Sequence, residues 1–427
     1  MNGHHLKSFL RYKRAVRVGS QLAVLAALAL PLEAGELAVE GVLSARGLVV
    51  EGQRSWLEGG FGRLGESGGG AGDALFTGRA QAHLGLDWKP SLEWLVHAHG
   101  VAQTQPSRAG GREVGLPEAF LVYRPELNAQ LSLRLRAGLF FPQTSRENVE
   151  RLWSSPYTIT LSALNTWIGE EVRLTGLDVS LVRRGNRDEL QLHAGAFGGN
   201  DSSGSLLAWR GWAMGDRLAT ASEVFPLPPL RSLGPSGGLA SQRDDGTRPI
   251  GELDGRVGWN ARARWERRGR VLIQMSYLDN LGDRELHRDQ YSWRTRFAQA
   301  GVELRLLQGL DLIAEAADGK AGMGARDEPH VDVDFRTGYA LLTWGNSTFR
   351  LSARYDRFRN RDKDGTTEPN DEDGHAWTLA AFFSPWRSAR LGAEWLELKA
   401  QRPAAAASGF DPDTNARKAT LELRVLF

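Results

Sequence analysis

Apolar and polar residues alternate with a period of two along most of this chain. In Leu131–Leu139 (LSLRLRAGL) the leucines at 131, 133, 135 and 139 share one side, and Ser132, Arg134, Arg136 and Gly138 share the other. Trp259–Trp265 (WNARARW), Phe349–Tyr355 (FRLSARY) and the final Ala419–Phe427 repeat the pattern. Successive side chains of a strand point to opposite faces, so each segment predicts a strand with one apolar and one polar side. The pattern predicts 16 strands, at about 37–51, 73–88, 91–103, 116–124, 130–141, 171–184, 188–198, 252–266, 270–280, 290–306, 310–318, 331–344, 347–359, 374–385, 389–400 and 416–427. Seven short connectors, such as 89–91 and 385–388, alternate strictly with eight long polar ones, such as 52–72, 142–170 and 199–251. Leu206–Thr220 offers one more apolar stretch. An odd strand count would separate the termini, so it is placed inside the fourth long loop, with 18 strands as the alternative.

Nowhere in 35–427 is there an apolar run of 18 residues. In lipid only helices and closed barrels satisfy the backbone, so this alternation predicts an all-β transmembrane antiparallel barrel. Short turns then lie on the periplasmic side and long loops outside. Trp88, Tyr123, Trp265, Trp344 and Trp386 end strands that run into short turns, and Phe427 ends the last strand. Six aromatic residues at one level predict an interfacial girdle. Trp259, Tyr291, Trp293, Tyr339 and Trp377 are expected in the opposite belt or in the apolar band.

The N-terminus changes the charge picture. Lys7, Arg11, Lys13, Arg14 and Arg17 precede the apolar Gln21–Leu32, which is too short to span a bilayer as a helix and predicts a signal peptide over 1–34. The whole chain carries 53 Lys+Arg against 51 Asp+Glu; without 1–34 the balance is 48 against 50. The basic excess therefore belongs to the leader, and no nucleic-acid partner is expected. Arginine dominates the cations, 46 against seven lysines. Cysteine is absent, which excludes disulfides and thiolate metal sites. The paired His97 and His99 lack a third ligand, and the acidic Asp362–Asp373 misses the EF-hand spacing, so neither metal nor cofactor is expected.

With lipid on the apolar side, alternation assigns a polar lumen. Arg134, Arg136, Arg173, Arg262, Arg264, Arg294, Arg296, Arg350 and Arg354 are expected to line the pore, partly balanced by Glu303, Asp356, Glu394 and Glu422. Phe297–Val302 slips phase and suggests a bulge. A ring of arginines favours anions; the alternative is a neutral network with the acids that stiffens the barrel. A barrel of this size leaves an aqueous channel unless something narrows it. Loop 142–170 carries Leu152, Trp153, Ile159, Leu164 and Trp167, which need burial, so it is expected to fold inward and bring Arg146, Glu147, Glu150 and Arg151 to a constriction. Ser145 followed by Glu147 and Asn148 suggests a short helix start there.

Arg136–Glu147 (RAGLFFPQTSRE), a Gly-x-Phe-x-Pro stretch leading into an acidic loop, resembles the phosphate-selective porin O/P-type family over about residues 130–175. The resemblance implies a homotrimeric anion porin. The lysine clusters of that family have no counterpart, since Lys89, Lys320, Lys363, Lys399 and Lys418 are scattered. Three function classes follow. One is an outer-membrane porin for passive ion transport and diffusion of small hydrophilic, anionic solutes, surrounded by outer-membrane lipid and lipopolysaccharide. The second is a substrate-specific channel or surface-interaction barrel, argued from Trp209 and Trp212 in the long segment 199–251. The third is an outer-membrane enzyme, for which His83, His97, His193 and His287 lack sequence partners.

Overall fold

Sixteen strands pair with their sequence neighbours, all antiparallel, and the last pairs with the first. The computed structural model describes residues 35–104, 114–125, 127–239, 242, 246–325, 329–366 and 368–427; the expected signal peptide lies outside them. The strands are β1 (Glu36–Gly52), β2 (Gly70–Lys89), β3 (Trp94–Gln103), β4 (Val114–Tyr123), β5 (Leu131–Phe140), β6 (Leu174–Arg184), β7 (Asp188–Gly198) and β8 (Gly258–Arg267). There follow β9 (Val271–Asp279), β10 (Arg294–Leu307), β11 (Leu310–Met323), β12 (Val331–Gly345), β13 (Phe349–Asp362), β14 (Glu372–Trp386), β15 (Ala389–Gln401) and β16 (Asp413–Leu426). The barrel is closed by β1 and β16, from Val42 opposite Leu426 to Glu51 opposite Arg417. The terminal Phe427 exchanges backbone hydrogen bonds with Gly41, at 2.8 and 3.1 Å. Its ring lies where a Cβ on Gly41 would sit, 2.2 Å from the nearest ring carbon, so the closing contact depends on a residue without a side chain.

Leu206–Thr220 is not a strand. It forms a short helix and irregular chain within the fourth long loop, so the count is 16.

Around the ring the outward face carries exposed Leu342, Trp344, Leu351, Leu379, Trp395, Leu421 and Leu423, an apolar band that fits only against lipid. Trp88, Tyr123, Trp265, Trp344, Trp386 and Phe427 all stand at the short-turn end of their strands, and the last four are exposed. Trp259 and Trp377 also face outward. Tyr291, Trp293 and Tyr339 do not: all three are buried, Tyr339 donating its hydroxyl to Glu315 at 2.6 Å and Trp293 packing edge-on to Trp209.

That correction belongs to a larger one. Toward the long-loop end the pattern inverts with no change of register. Outward positions there carry Glu51, Asp318, Lys320, Asp334, Arg336, Arg357, Arg359, Arg361, Glu397, Lys399 and Arg417. Inward positions at the same height carry Val50, Val333, Phe335, Phe358, Leu396, Leu398 and Ala416, all buried in one core. The barrel wall continues past the lipid, its outside becomes wet and its inside becomes dry. Arg294 and Arg296, expected in the pore, therefore face outward: Thr295 and Phe297 between and beside them are buried inside, while Arg294 pairs with Asp279 at 3.0 Å. The expected bulge near Phe297 is absent, since β10 pairs with β11 without interruption from Arg294 to Arg305.

The two zones respond differently to substitution. Leu421→Arg, within the apolar band, is expected to cost about 2–4 kcal/mol, and Lys399→Leu, above it, under about 1 kcal/mol. Urea unfolding from lipid vesicles measures both, and equal costs would contradict the inversion.

Candidate pore and the loops that fill it

The loop between β5 and β6 does fold into the barrel, and wall carboxylates hold it there. The Glu394 carboxylate accepts from the backbone N–H of Ile159 (2.5 Å) and Thr160 (3.0 Å). Asp356 accepts from Ala163 N–H at 3.1 Å, and Glu315 accepts from the Asn165 side chain at 3.0 Å. The α-helix of this loop, α1 (Ala163–Glu171), follows a single 3-10 turn at Arg151–Trp153 and starts where Ser162 accepts from Asn165 N–H. All nine of its residues are buried, as expected of a helix surrounded by packing partners. No helix begins at Ser145; its hydroxyl accepts from the N–H of Glu147 and Asn148 in a single turn.

Of the four charges expected at the constriction, Glu147 has a different role. It is fully buried, and its carboxylate accepts from Ser162 N–H, the Asn165 amide, the Thr158 hydroxyl and Arg354. Glu147 is the internal anchor of the loop, paired with the wall, and not a pore-facing charge. Arg146 pairs with Glu303 at 3.2 Å, Glu150 with Arg390 at 3.3 Å and Arg151 with Glu40 at 3.1 Å. These three sit on the short-turn side of the loop, where Glu303, Arg264 and Arg350 are only partly buried.

A second loop, between β7 and β8, adds to the filling. Its helix α2 (Ser205–Trp209) is seated on the end of α1: the Glu171 carboxylate accepts from Gly204 N–H, Leu206 N–H, the Ser205 hydroxyl and the Trp167 indole. Burial pushes the Glu171 carboxyl above its usual range, and the Leu206, Trp167 and Ser205 donors, with the nearby Arg210 charge, offset part of that. Trp212 donates its indole N–H to Asn360 at 2.8 Å, and its backbone N–H to Glu372 at 2.9 Å. Arg402 donates to the Ala208 and Trp209 carbonyls at the free end of α2. Asp216 is inserted between Arg46 of β1 (2.6 Å) and Arg79 of β2 (2.5 Å). Burial alone would raise the Asp216 carboxyl; the two guanidiniums outweigh it and hold it below the ordinary carboxylate range. Backbone bonds from Leu161 to Gly215 and from Ala219 to Gly169 join the two loops. At and above this level inward side chains such as His99, Gln274, Glu315, Thr378 and Leu396 are buried. Wall side chains cannot fill so wide a barrel; here these two loops do so together with the first long loop, whose Phe61 joins the same core and whose Arg63 pairs with Glu372 at 2.8 Å.

The remaining expected pore residues divide by partner. Arg136 bonds Asp178 at 2.5 Å and lies over the Phe140 ring; Arg264 pairs with Glu189 at 3.0 Å; Arg354 joins Asp356 at 2.7 Å and Glu147. These are the neutral pairs of the stiffening alternative. Among the described residues Arg173 donates only to the Gly169 and Ala219 carbonyls, over Phe141. Arg262 donates to the Gln143 carbonyl and to Gln274, and Arg350 to the Thr343 hydroxyl. Arg134 makes no hydrogen bond or ion pair among the described residues, and its Nε is buried without a partner. Sequence reasoning missed Arg46, Arg79, Glu171, Asp216, Glu372 and Arg402. No local motif marks them; their partners lie up to 376 residues away.

Glu147→Gln leaves Arg354 partly unpaired in a buried site, which is expected to cost about 3–5 kcal/mol. Protease cleavage within 142–170 of the folded protein measures the loosening, and unchanged protection would remove Glu147 as the anchor.

No protein-family model and no curated protein sequence matches this chain. Several solved structures are similar in fold. The outer-membrane channel DcaP of Acinetobacter baumannii is 13% identical, with 92% of this chain and 97% of that chain covered and a TM-score of 0.53. OmpF of Salmonella typhi, in complex with daunomycin, is 11% identical over 92% and 97%, with a TM-score of 0.51. An anion-selective porin from Comamonas acidovorans is 9% identical over 92% and 100%, with a TM-score of 0.50. At such identities the likeness is one of fold, and it places this chain among barrels built as outer-membrane porins are built.

Proposed function

We propose that the protein is an outer-membrane porin for passive diffusion of small hydrophilic solutes, with anions preferred, and that loop 199–257 closes its path in the conformation described. One observation carries the anion preference: among the described residues, Arg134, Arg262 and Arg350 face the lumen with neutral partners or none. An uncompensated cation beside low-dielectric wall attracts anions and repels cations. The narrowing element is loop 142–170, held to one wall by Glu315, Asp356 and Glu394. Conduction requires the segment around Asp216 to leave Arg46 and Arg79. Both arginines retain a carboxylate when it does, Arg46 with Glu422 (2.8 Å) and Arg79 with Glu66 (3.3 Å), so departure leaves the wall charge-paired.

The competing readings fare less well. Trp209 and Trp212, the basis for a partner-binding loop, are buried inside the barrel and unavailable to a partner. Ser180 touches His193 at 2.9 Å with Asp178 3.9 Å away, a grouping that suggests hydrolysis. Ser180 is buried, however, and Asp178 already holds Arg136, so the grouping is packing. A homotrimer, as the family resemblance implies, is the expected assembly, and mass measurement in detergent tests it.

Asp216→Ala is expected to raise conductance in planar bilayers several-fold, and the reversal potential under a KCl gradient should report anion preference. Adding Arg134→Ala, Arg262→Ala and Arg350→Ala should move that potential toward zero. A cation-preferring channel, or one that stays closed after Asp216→Ala, would sink the proposal.

A further inference from the structure

On the outside of the barrel, remote from the lumen, a groove of about 840 Å³ runs across β10, β11, β12 and β13. Its floor is two rows of outward positions with almost no side chain: Ala300 opposite Ala316 opposite Gly338, and Ala314 opposite Ala340. Met275 and Tyr355 rise on its two sides. A second outward hollow of about 790 Å³, lined by Leu379, Trp395 and Leu421 among others, has no basic residue in its lining, so the arginines at one end distinguish this trough.

The groove ends at its long-loop side in arginines. Arg336 and Arg359 stand directly opposite each other on adjacent strands, and Arg357 lies two residues below Arg359 on the same face. Like charges in directly opposed positions repel, so this arrangement needs a compensating anion. Asp318 flanks the pair on one side and Asp373 on the other, but with Arg357 and Arg361 on the same face these two carboxylates serve four arginines. Arg336 is paired with Asp318, Arg357 with Asp373, and Arg361 with the same Asp373 at 3.7 Å. Arg359 makes no ion pair among the described residues: Asp373, directly opposite it on the next strand, pairs with Arg357 and Arg361 instead. These pairs are largely exposed and hold weakly, so an incoming anion can displace them.

Height settles the kind of anion. Arg336 is eight residues beyond the girdle residue Trp344, and Arg359 ten beyond Phe349. On tilted strands those separations are roughly 20–25 Å along the barrel axis, the height of the apolar band. The arginines therefore sit at the headgroup level of the outer leaflet, and the bare trough beneath them lies in hydrocarbon. We propose that this face is a lipid-binding site: a phosphate-bearing glycolipid of the outer leaflet lays an acyl chain along the Ala/Gly trough and places its phosphate between Arg336 and Arg359. Arginine suits this role because its planar fork grips phosphate oxygens in pairs. The site is independent of what passes through the lumen.

The test uses the full protein in detergent, titrated with bis-phosphorylated lipid A and read by native mass spectrometry. One lipid A per barrel is expected, with affinity lowered at least tenfold by Arg336→Gln together with Arg359→Gln. Ala316→Phe fills the trough without touching a charge and should weaken lipid A similarly. Arg417→Ala, an outward cation on β16, three strands away from the groove, should leave binding unchanged. Lipid A without its phosphates should bind the wild type no better than the double variant. Inorganic phosphate at millimolar concentration should not displace lipid A. Equal binding by wild type and both variants would overturn the proposal, as would displacement by inorganic phosphate. A change of oligomeric mass with Ala316→Phe, and no change in lipid binding, would assign the groove to a second copy of the chain instead.

Discussion

The structure depends on backbone hydrogen bonding in lipid. Each N–H and C=O within the hydrocarbon must find its partner in the chain, and a sheet with a free edge cannot meet that requirement. The pairing of β1 with β16 removes the edge, and its register is continuous from Val42–Leu426 to Glu51–Arg417. Once the ring is closed in register, each residue's face is set, because a shift of one position would send every side chain to the other side. Phe427 belongs to this constraint: its backbone bonds to Gly41 and its ring covers the space that a side chain there would need.

A fixed register has a second consequence. The same strands must serve two environments, lipid lower down and water above, without slipping. They do so by exchanging residue types along their length. Lower positions are apolar outside and polar within; upper ones are charged outside and largely apolar within, with Asn360 and Glu372 paired to the loops. The upper interior can be apolar because loop 141–173, the described parts of 199–257 and the first long loop around Phe61 and Arg63 occupy it. Filling a wide barrel in this way buries many loop N–H groups and wall charges together. The wall carboxylates Glu315, Asp356 and Glu394 solve both problems at once, since they accept from loop backbone and amide groups that water can no longer reach. Arg46 and Arg79 do the same for Asp216 from the cationic side.

Much of this was legible in the sequence. Alternation, turn lengths and parity led to the 16 strands, and the apolar content of 142–170 pointed inward because so many large apolar residues cannot remain in water. The failures share one cause. The rule that apolar means lipid-facing holds only within the bilayer, and Tyr291, Trp293, Arg294, Arg296 and Tyr339 lie where it no longer applies. Nothing local in YSWRTRF says that the strand has already left the membrane. Glu147 reads as one more acid in a charged run, and only its fully buried contact with Arg354 shows it to be an anchor.

What the sequence by itself determined is the periodicity, and with it the strand count, the apolar band and the level of the short-turn aromatics, since these depend on neighbours two residues apart. The tertiary structure alone decided where the band ends, which arginines keep a carboxylate, and whether the lumen is open. Those depend on residues brought together across hundreds of positions, as Arg46 is with Glu422 and Asp216. Short-range alternation records which side a residue faces; only the folded barrel determines what it faces there.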